Sequence, residues 1–131
     1  MIKWDILLTE GGDPDKLGRG TTWMEEVPNC IFQNHLFRVR VNSAEIRPYF
    51  LAKLIASKYG KKYFLKAAKQ TTGIATINSS QLKEFPAIIP SLGLQETFEQ
   101  KSLQVELIKK EFTKTANQSE SLFQSLLQKA F

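Results

Sequence analysis

His35 and Cys30 are the only histidine and the only cysteine in the chain. A zinc-type site needs three or four ligands, and a Ser-His-Asp arrangement needs a histidine beside its nucleophile, so either chemistry would rest on these two residues. His35 opens an alternating stretch with Phe37, Val39 and Val41 on its own face. That pattern favours a buried or interface imidazole over a ligand. The glycines from Gly11-Gly12 to Gly18-Arg19-Gly20 fit neither G-x-G-x-x-G nor the phosphate loop ending in Gly-Lys-Ser/Thr. Pro14-Asp15 resembles the start of a nuclease metal site, but the acidic-x-Lys pair it requires occurs only at Glu99 and Lys101, far along the chain. The reading is therefore a non-enzyme, with no catalytic residue, no metal site and no cofactor.

Binding chemistry is better represented. The 131 residues hold 18 Lys+Arg against 13 Asp+Glu, a net charge of +5. Residues 1–42 carry five basic and six acidic side chains, 43–90 eight and two, and 91–131 five and five. The middle third thus holds a surplus of six positive charges, which points to a polyanion partner or to a solvated helix face. No apolar run approaches the roughly 20 residues of a membrane span, and Met1-Ile2-Lys3-Trp4-Asp5 lacks a signal-peptide core. With one cysteine, these features indicate a soluble protein of the reducing cytoplasm.

The elements that must carry these groups follow from periodicity. Trp4-Asp5-Ile6-Leu7-Leu8 reads as a short strand, stopped by the breakers from Thr9 to Asp15 and a loop reaching about Gly20. His35 to Val41 reads as a half-buried strand, with Leu36, Arg38 and Arg40 facing away from Phe37, Val39 and Val41. Pro48 suits the first turn of a helix whose buried stripe is Phe50, Leu51, Leu54 and Ile55 and which Gly60 ends. In the next helix Lys58, Lys62, Lys66 and Lys69 fall on one side, and Tyr63, Phe64, Ala67 and Ala68 supply the packing. Gln70-Thr71-Thr72-Gly73 breaks that helix, and Asn78 with Gln81 forms a capping box. Phe85 to Pro90 reads as an edge strand, where proline is tolerated. From residue 91 one long helix follows. Phe98, Val105, Phe112 and Leu126 lie multiples of seven apart, with Ile108 and Leu122 three further on, a coiled-coil seam that Lys101, Thr115, Ser119 and Lys129 interrupt. The polar stretch Thr113 to Ser121 cannot hold an isolated helix, so a partner helix is expected.

Several of these segments, in this order and spacing, resemble the specificity subunits of type I restriction-modification systems. The carrying residues are Asp5-Ile6-Leu7-Leu8-Thr9, the stretch from Gly11-Gly12-Asp13-Pro14-Asp15 to Gly20, Gln33-Asn34-His35 through Arg40, Thr71-Thr72-Gly73-Ile74 with Ile77-Asn78, Gln81-Leu82, Pro86 and Pro90, and Leu122-Phe123 through Phe131. The resemblance implies an α+β fold. A small mixed sheet with short helices would form the later part of a DNA target recognition domain over 1–90, followed over 91–131 by a long coiled-coil helix for dimerisation and subunit assembly. It implies a truncated half-subunit or a fragment, since such a recognition domain would begin well before Met1.

It also implies double-stranded DNA, a modification (methyltransferase) subunit and a restriction subunit as partners, with catalysis left to those subunits. Lys58, Lys62, Lys66, Lys69 and Arg19 are then the phosphate-binding candidates, and Gln70, Thr71, Thr72 and Asn78 those for base edges. Thr71 and Thr72 have a structural alternative as turn residues, and Asn78 as a helix cap. Phe98, Val105, Ile108, Phe112, Leu122 and Leu126 would form a homodimer seam. The competing function is a protein-interaction module that works through the C-terminal helix alone.

Overall fold

A computed structural model describes residues 1–31, 34–42 and 44–131. Gln33, one of the residues carrying the family resemblance, lies outside them. Two compact units are present, Met1–Glu96 and Thr97–Phe131.

The first unit holds two three-stranded antiparallel sheets. In one, β1 (Ile6–Thr9) is central between β3 (Gly20–Thr22) and β4 (Leu36–Val39). In the other, β6 (Ile74–Thr76) is central between β2 (Gly11–Gly12) and β5 (Lys69–Thr71). Two helices, α1 (Pro48–Ala56) and α2 (Lys58–Ala67), complete the layer, with a single turn of 3₁₀ helix at Pro14–Lys16 and a short α3 (Ser79–Lys83). The α+β class holds, with the strands divided between two antiparallel sheets.

One core serves both sheets. Ile6 and Leu8 of β1, Leu51 and Ile55 of α1, Phe64 of α2, and Ala75 with Ile77 at β6 are all buried together. Phe37, Val39 and Val41 pack against this cluster while Arg38 and Arg40 are exposed, as the alternation requires. Full burial of such a side chain contributes about 1.5–3 kcal/mol.

Three expectations are corrected. Gly60 does not end α1. The helix ends at Ala56, and Ser57 joins it to α2 by donating from Oγ to the Leu54 carbonyl (2.6 Å) and accepting from the Gly60 N–H (3.3 Å). A Cβ on Gly60 would lie 2.1 Å from the Ile55 carbonyl oxygen, so glycine permits the tight approach of the two helices. Residues 85–90 form no strand. Pro86 and Pro90 have no N–H to give a ladder, and Phe85 instead packs its ring against Tyr59, Tyr63 and Phe64. Finally, His35 is not buried. Its φ of +72° precedes the strand, its side chain is 87% exposed, and Nδ1 lies 3.3 Å from Glu10 Oε2.

An ion pair between a buried carboxylate and a half-exposed guanidinium fastens the β1 end of the first sheet. Asp5 is fully buried and receives two parallel bonds from the Arg40 guanidinium, Nε to Oδ1 at 2.8 Å and Nη2 to Oδ2 at 2.9 Å, plus the Ile2 N–H at 2.9 Å. Arg40 holds the Asp5 carboxyl below its ordinary range. That bond outweighs the opposing effect of burial, and the Ile2 N–H adds to it.

The helix α4 (Leu92–Ala130) begins in the first unit and from Thr97 makes up the second. At 1.5 Å per residue it is about 58 Å long. Among the described residues no helix is long and apolar enough to cross a membrane.

Candidate nucleic-acid interface

Residues 11–20 and 69–78, far apart in sequence, meet in one sheet because Gly11 pairs with Thr76 and Gly12 with Ala75. Glycine is needed in this strand, since a Cβ on Gly11 would come within 2.6 Å of Thr76 Cγ2. The glycine-rich loop beyond it is tied down. Leu17 is buried in the core, and Thr9 Oγ1 lies 3.3 and 3.2 Å from the Lys16 and Arg19 carbonyls as their donor. Lys61 Nζ adds a bond to the Asp15 carbonyl (3.1 Å), fixing α2 to the loop.

Strands β5 and β6 form a hairpin closed by two residues, Thr72 and Gly73, with Thr71 opposite Ile74. Gly73 has φ +80°, and Thr72 has no positive φ. A positive φ at the second central position alone is the type II pattern, which favours glycine there. Opposed residues share a face, so the register divides the hairpin in two. Gln70 and Ala75 share one face, on which Ala75 is buried and Gln70, on the edge strand, is exposed. Lys69, Thr71, Ile74 and Thr76 face outward, and all four are exposed.

That parity separates the candidate residues. Gln70 Nε2 donates to the Leu65 carbonyl at 2.8 Å, and Gln81 Nε2 donates to the Ala67 carbonyl. The two glutamines thus satisfy carbonyls that the last turn of α2 leaves without helical donors, and they hold the hairpin and α3 against that helix. Gln70 keeps Oε1 as the group that would accept from a base. Asn78 occupies the N-cap of α3, where Oδ1 accepts from the Gln81 N–H (2.9 Å) and Gln81 Oε1 accepts from the Asn78 N–H (2.8 Å). Thr71 Oγ1 reaches the Ile74 carbonyl at 3.5 Å. Thr72 is exposed at the tip.

The basic candidates are all at the surface. Lys58, Lys62 and Lys66 are exposed on α2 at four-residue spacing, and Lys69 begins β5. Arg19 is exposed at the end of the glycine loop, with Nη2 3.9 Å from Asp15 Oδ2. Such an arrangement offers cations at the spacing of a helical turn beside a narrow antiparallel ribbon, and a major groove about 12 Å wide admits such a ribbon. Sequence reasoning missed the outward pair Ile74 and Thr76. The signal was available, because a two-residue turn at Thr72-Gly73 fixes the register and hence which residues share a face.

Along α4 the proposed seam is exposed, from 41% at Phe98 through 49% at Val105 and 56% at Ile108 to 74% at Phe112, then 61% at Leu122 and 56% at Leu126. Phe123 and Leu127 were missed. Phe123 lies eleven residues after Phe112, close to three full turns, so on a straight helix it continues the Phe112 stripe better than Leu122 does.

No family model matches the chain. It is similar to the type I restriction enzyme StySPI specificity subunit of Salmonella potsdam, 28% identical over 132 residues. This alignment takes in 97% of the chain, which spans 28% of the length of that curated relative.

Proposed function

We propose that the chain is a sequence-specific duplex-DNA recognition module of a type I restriction-modification specificity subunit, or half-subunit, that positions the modification and restriction subunits on their target. The observation that carries this reading is the likeness to the StySPI specificity subunit along 97% of the chain. The geometry agrees with it. A basic helix runs into a hairpin with an outward face of hydroxyl, methyl and ammonium groups, and the glycine loop bearing Arg19 joins the same sheet. In this reading Lys58, Lys62, Lys66, Lys69 and Arg19 hold phosphates, Thr71 and Thr72 reach base edges, and Asn78 and Gln70 keep the hairpin in place, each with one amide group left for a base. Residues 1–90 form the recognition domain and 91–131 the assembly helix. Catalysis belongs to the other subunits of the cytoplasmic complex.

The test is an electrophoretic selection on random duplex pools with the purified chain, with and without the modification subunit. The expected result is enrichment of one sequence class whose affinity falls steeply with salt. No enrichment under either condition, or a salt slope near zero, would sink the reading.

A second reading has its own observation, the exposed apolar residues of α4. In it the chain acts through α4 as a protein-interaction module. The two readings share one structural proposal, a coiled-coil homodimer through Phe98, Val105, Ile108, Phe112, Leu122 and Leu126, because so long an apolar strip exceeds what a monomer ordinarily leaves in water. Light scattering at tens of micromolar should give twice the mass of the chain for the wild type and the monomer mass for Phe112→Asp. A monomeric wild type rules the dimer out.

A further inference from the structure

The outward face of the second sheet has a chemical character that its lysines alone do not explain. Thr71 stands opposite Ile74, and Lys69 opposite Thr76. Beyond Thr76 lies Gly11, which adds no side chain to the face. Ile74 is 51% exposed beside a two-residue turn, where the loop itself offers no apolar neighbour to cover it. The face therefore presents the Ile74 side chain and the methyl groups of Thr71 and Thr76 at the level of the hairpin, with Lys69 at its edge. The surplus of six positive charges in residues 43–90 sets the charge of whatever approaches.

Duplex DNA meets both requirements. Its phosphates match the lysines, and in the major groove thymine alone among the four bases presents a methyl group, which apolar side chains and threonine methyls contact. We infer that this face reads thymine C5-methyl groups, with Ile74 as the principal contact and Thr76 beside it. Ile74 would then be a specificity-determining residue, selecting T·A pairs by apolar contact where hydrogen-bonding side chains would select by donor and acceptor pattern. The inference rests on the DNA-recognition reading above and assigns that reading's base contacts to residues facing the groove.

The experiment uses the duplex enriched from random pools and replaces each thymine in turn by deoxyuridine, which removes the methyl and leaves every hydrogen bond intact. For the wild-type chain, at least one replacement should weaken binding about fourfold, the worth of one buried methyl-sized group. For Ile74→Ala the same replacement should change nothing, while Ile74→Val should retain part of the discrimination. Because Ile74 is exposed, the variants should keep the wild-type melting temperature, which separates lost contact from lost fold. Equal binding of thymine and deoxyuridine duplexes by the wild type overturns the inference while leaving DNA recognition standing. So does Ile74→Ala that still discriminates. If no duplex is enriched at all, DNA recognition fails and the inference fails with it.

Discussion

The two sheets of the first unit share a plan, three short antiparallel strands each, and differ in almost everything their side chains do. The β3-β1-β4 sheet buries Ile6 and Leu8 to 0% and 2% exposure and closes over Asp5 with the Arg40 clamp. The β2-β6-β5 sheet places one strand residue, Ala75, in the core and leaves Lys69, Thr71, Ile74 and Thr76 in solvent. Hydrogen-bonded ladders therefore do not decide the role of a sheet here. Large aliphatic residues make one sheet a foundation. Glycine, alanine and threonine make the other a thin platform, held by Leu17 and by two glutamine side chains at the end of α2. A surface carried on a rigid base keeps its shape while its outer residues remain free to vary.

The widest separation should come from removing one aliphatic side chain from each sheet. Leu8→Ala empties a site in the core and should cost about 2–5 kcal/mol, a large part of the 5–15 kcal/mol that stabilises an ordinary domain. Ile74→Ala removes an exposed side chain and should stay within about 0.5 kcal/mol. Urea melts followed by circular dichroism compare them directly. Similar losses in the two variants would erase the distinction between foundation and platform.

On the binding side, replacing Lys58, Lys62 and Lys66 together by Ala should lower the slope of log K against log salt by two to three units, about 0.9 per phosphate contact. The melting temperature should hardly move, since all three are exposed on α2. An unchanged slope would assign the lysines to a solvated helix face.

Much of the first unit was legible in the sequence. The alternation from Phe37 to Val41, proline at the start of α1 and the Asn78–Gln81 box all follow from local rules that tertiary contacts did not override. The corrections share a cause. At Gly60, Phe85 and His35 the deciding fact is a neighbour distant in sequence or a backbone φ, and neither leaves a trace in periodicity. The platform was harder to see for the same reason. Gly11-Gly12 reads as a loop until β6 pairs with it, and the bond from Gln70 Nε2 to the Leu65 carbonyl joins residues whose pairing no periodicity announces.

Acid should sharpen the contrast from the foundation's side. Asp5 has its folded pKa depressed, so its stabilising contribution is complete above the unfolded value near 4 and is lost as pH falls through the lower folded value. Arg40→Met removes the main cause of that depression. It should lower the melting temperature by several degrees at pH 7, and the gap from wild type should narrow as pH drops below about 4. A gap independent of pH would mean that Arg40 acts through packing of its stem.

The smallest effect concerns the platform's fastening, and it discriminates two roles for one residue. Gln70 shares a face of the hairpin with the buried Ala75, with Nε2 committed to the Leu65 carbonyl. Gln70→Ala removes one neutral hydrogen bond at an exposed site and should lower stability by about 0.5 kcal/mol, less than the roughly 1 kcal/mol expected when Asn78→Ala removes a helix cap. In DNA binding, a fastening residue and a reading residue part ways. If Gln70 sets the angle of the hairpin against α2, its loss weakens every duplex by a similar factor, because the whole outward face shifts. If Oε1 accepts from a base, the loss relaxes preference at one position and spares unrelated DNA. The bond to the Leu65 carbonyl favours the first result. Measured across the enriched duplex and its single-base variants, a uniform loss for Gln70→Ala beside a position-specific loss for Ile74→Ala would divide the hairpin into an inner face that fastens and an outer face that reads.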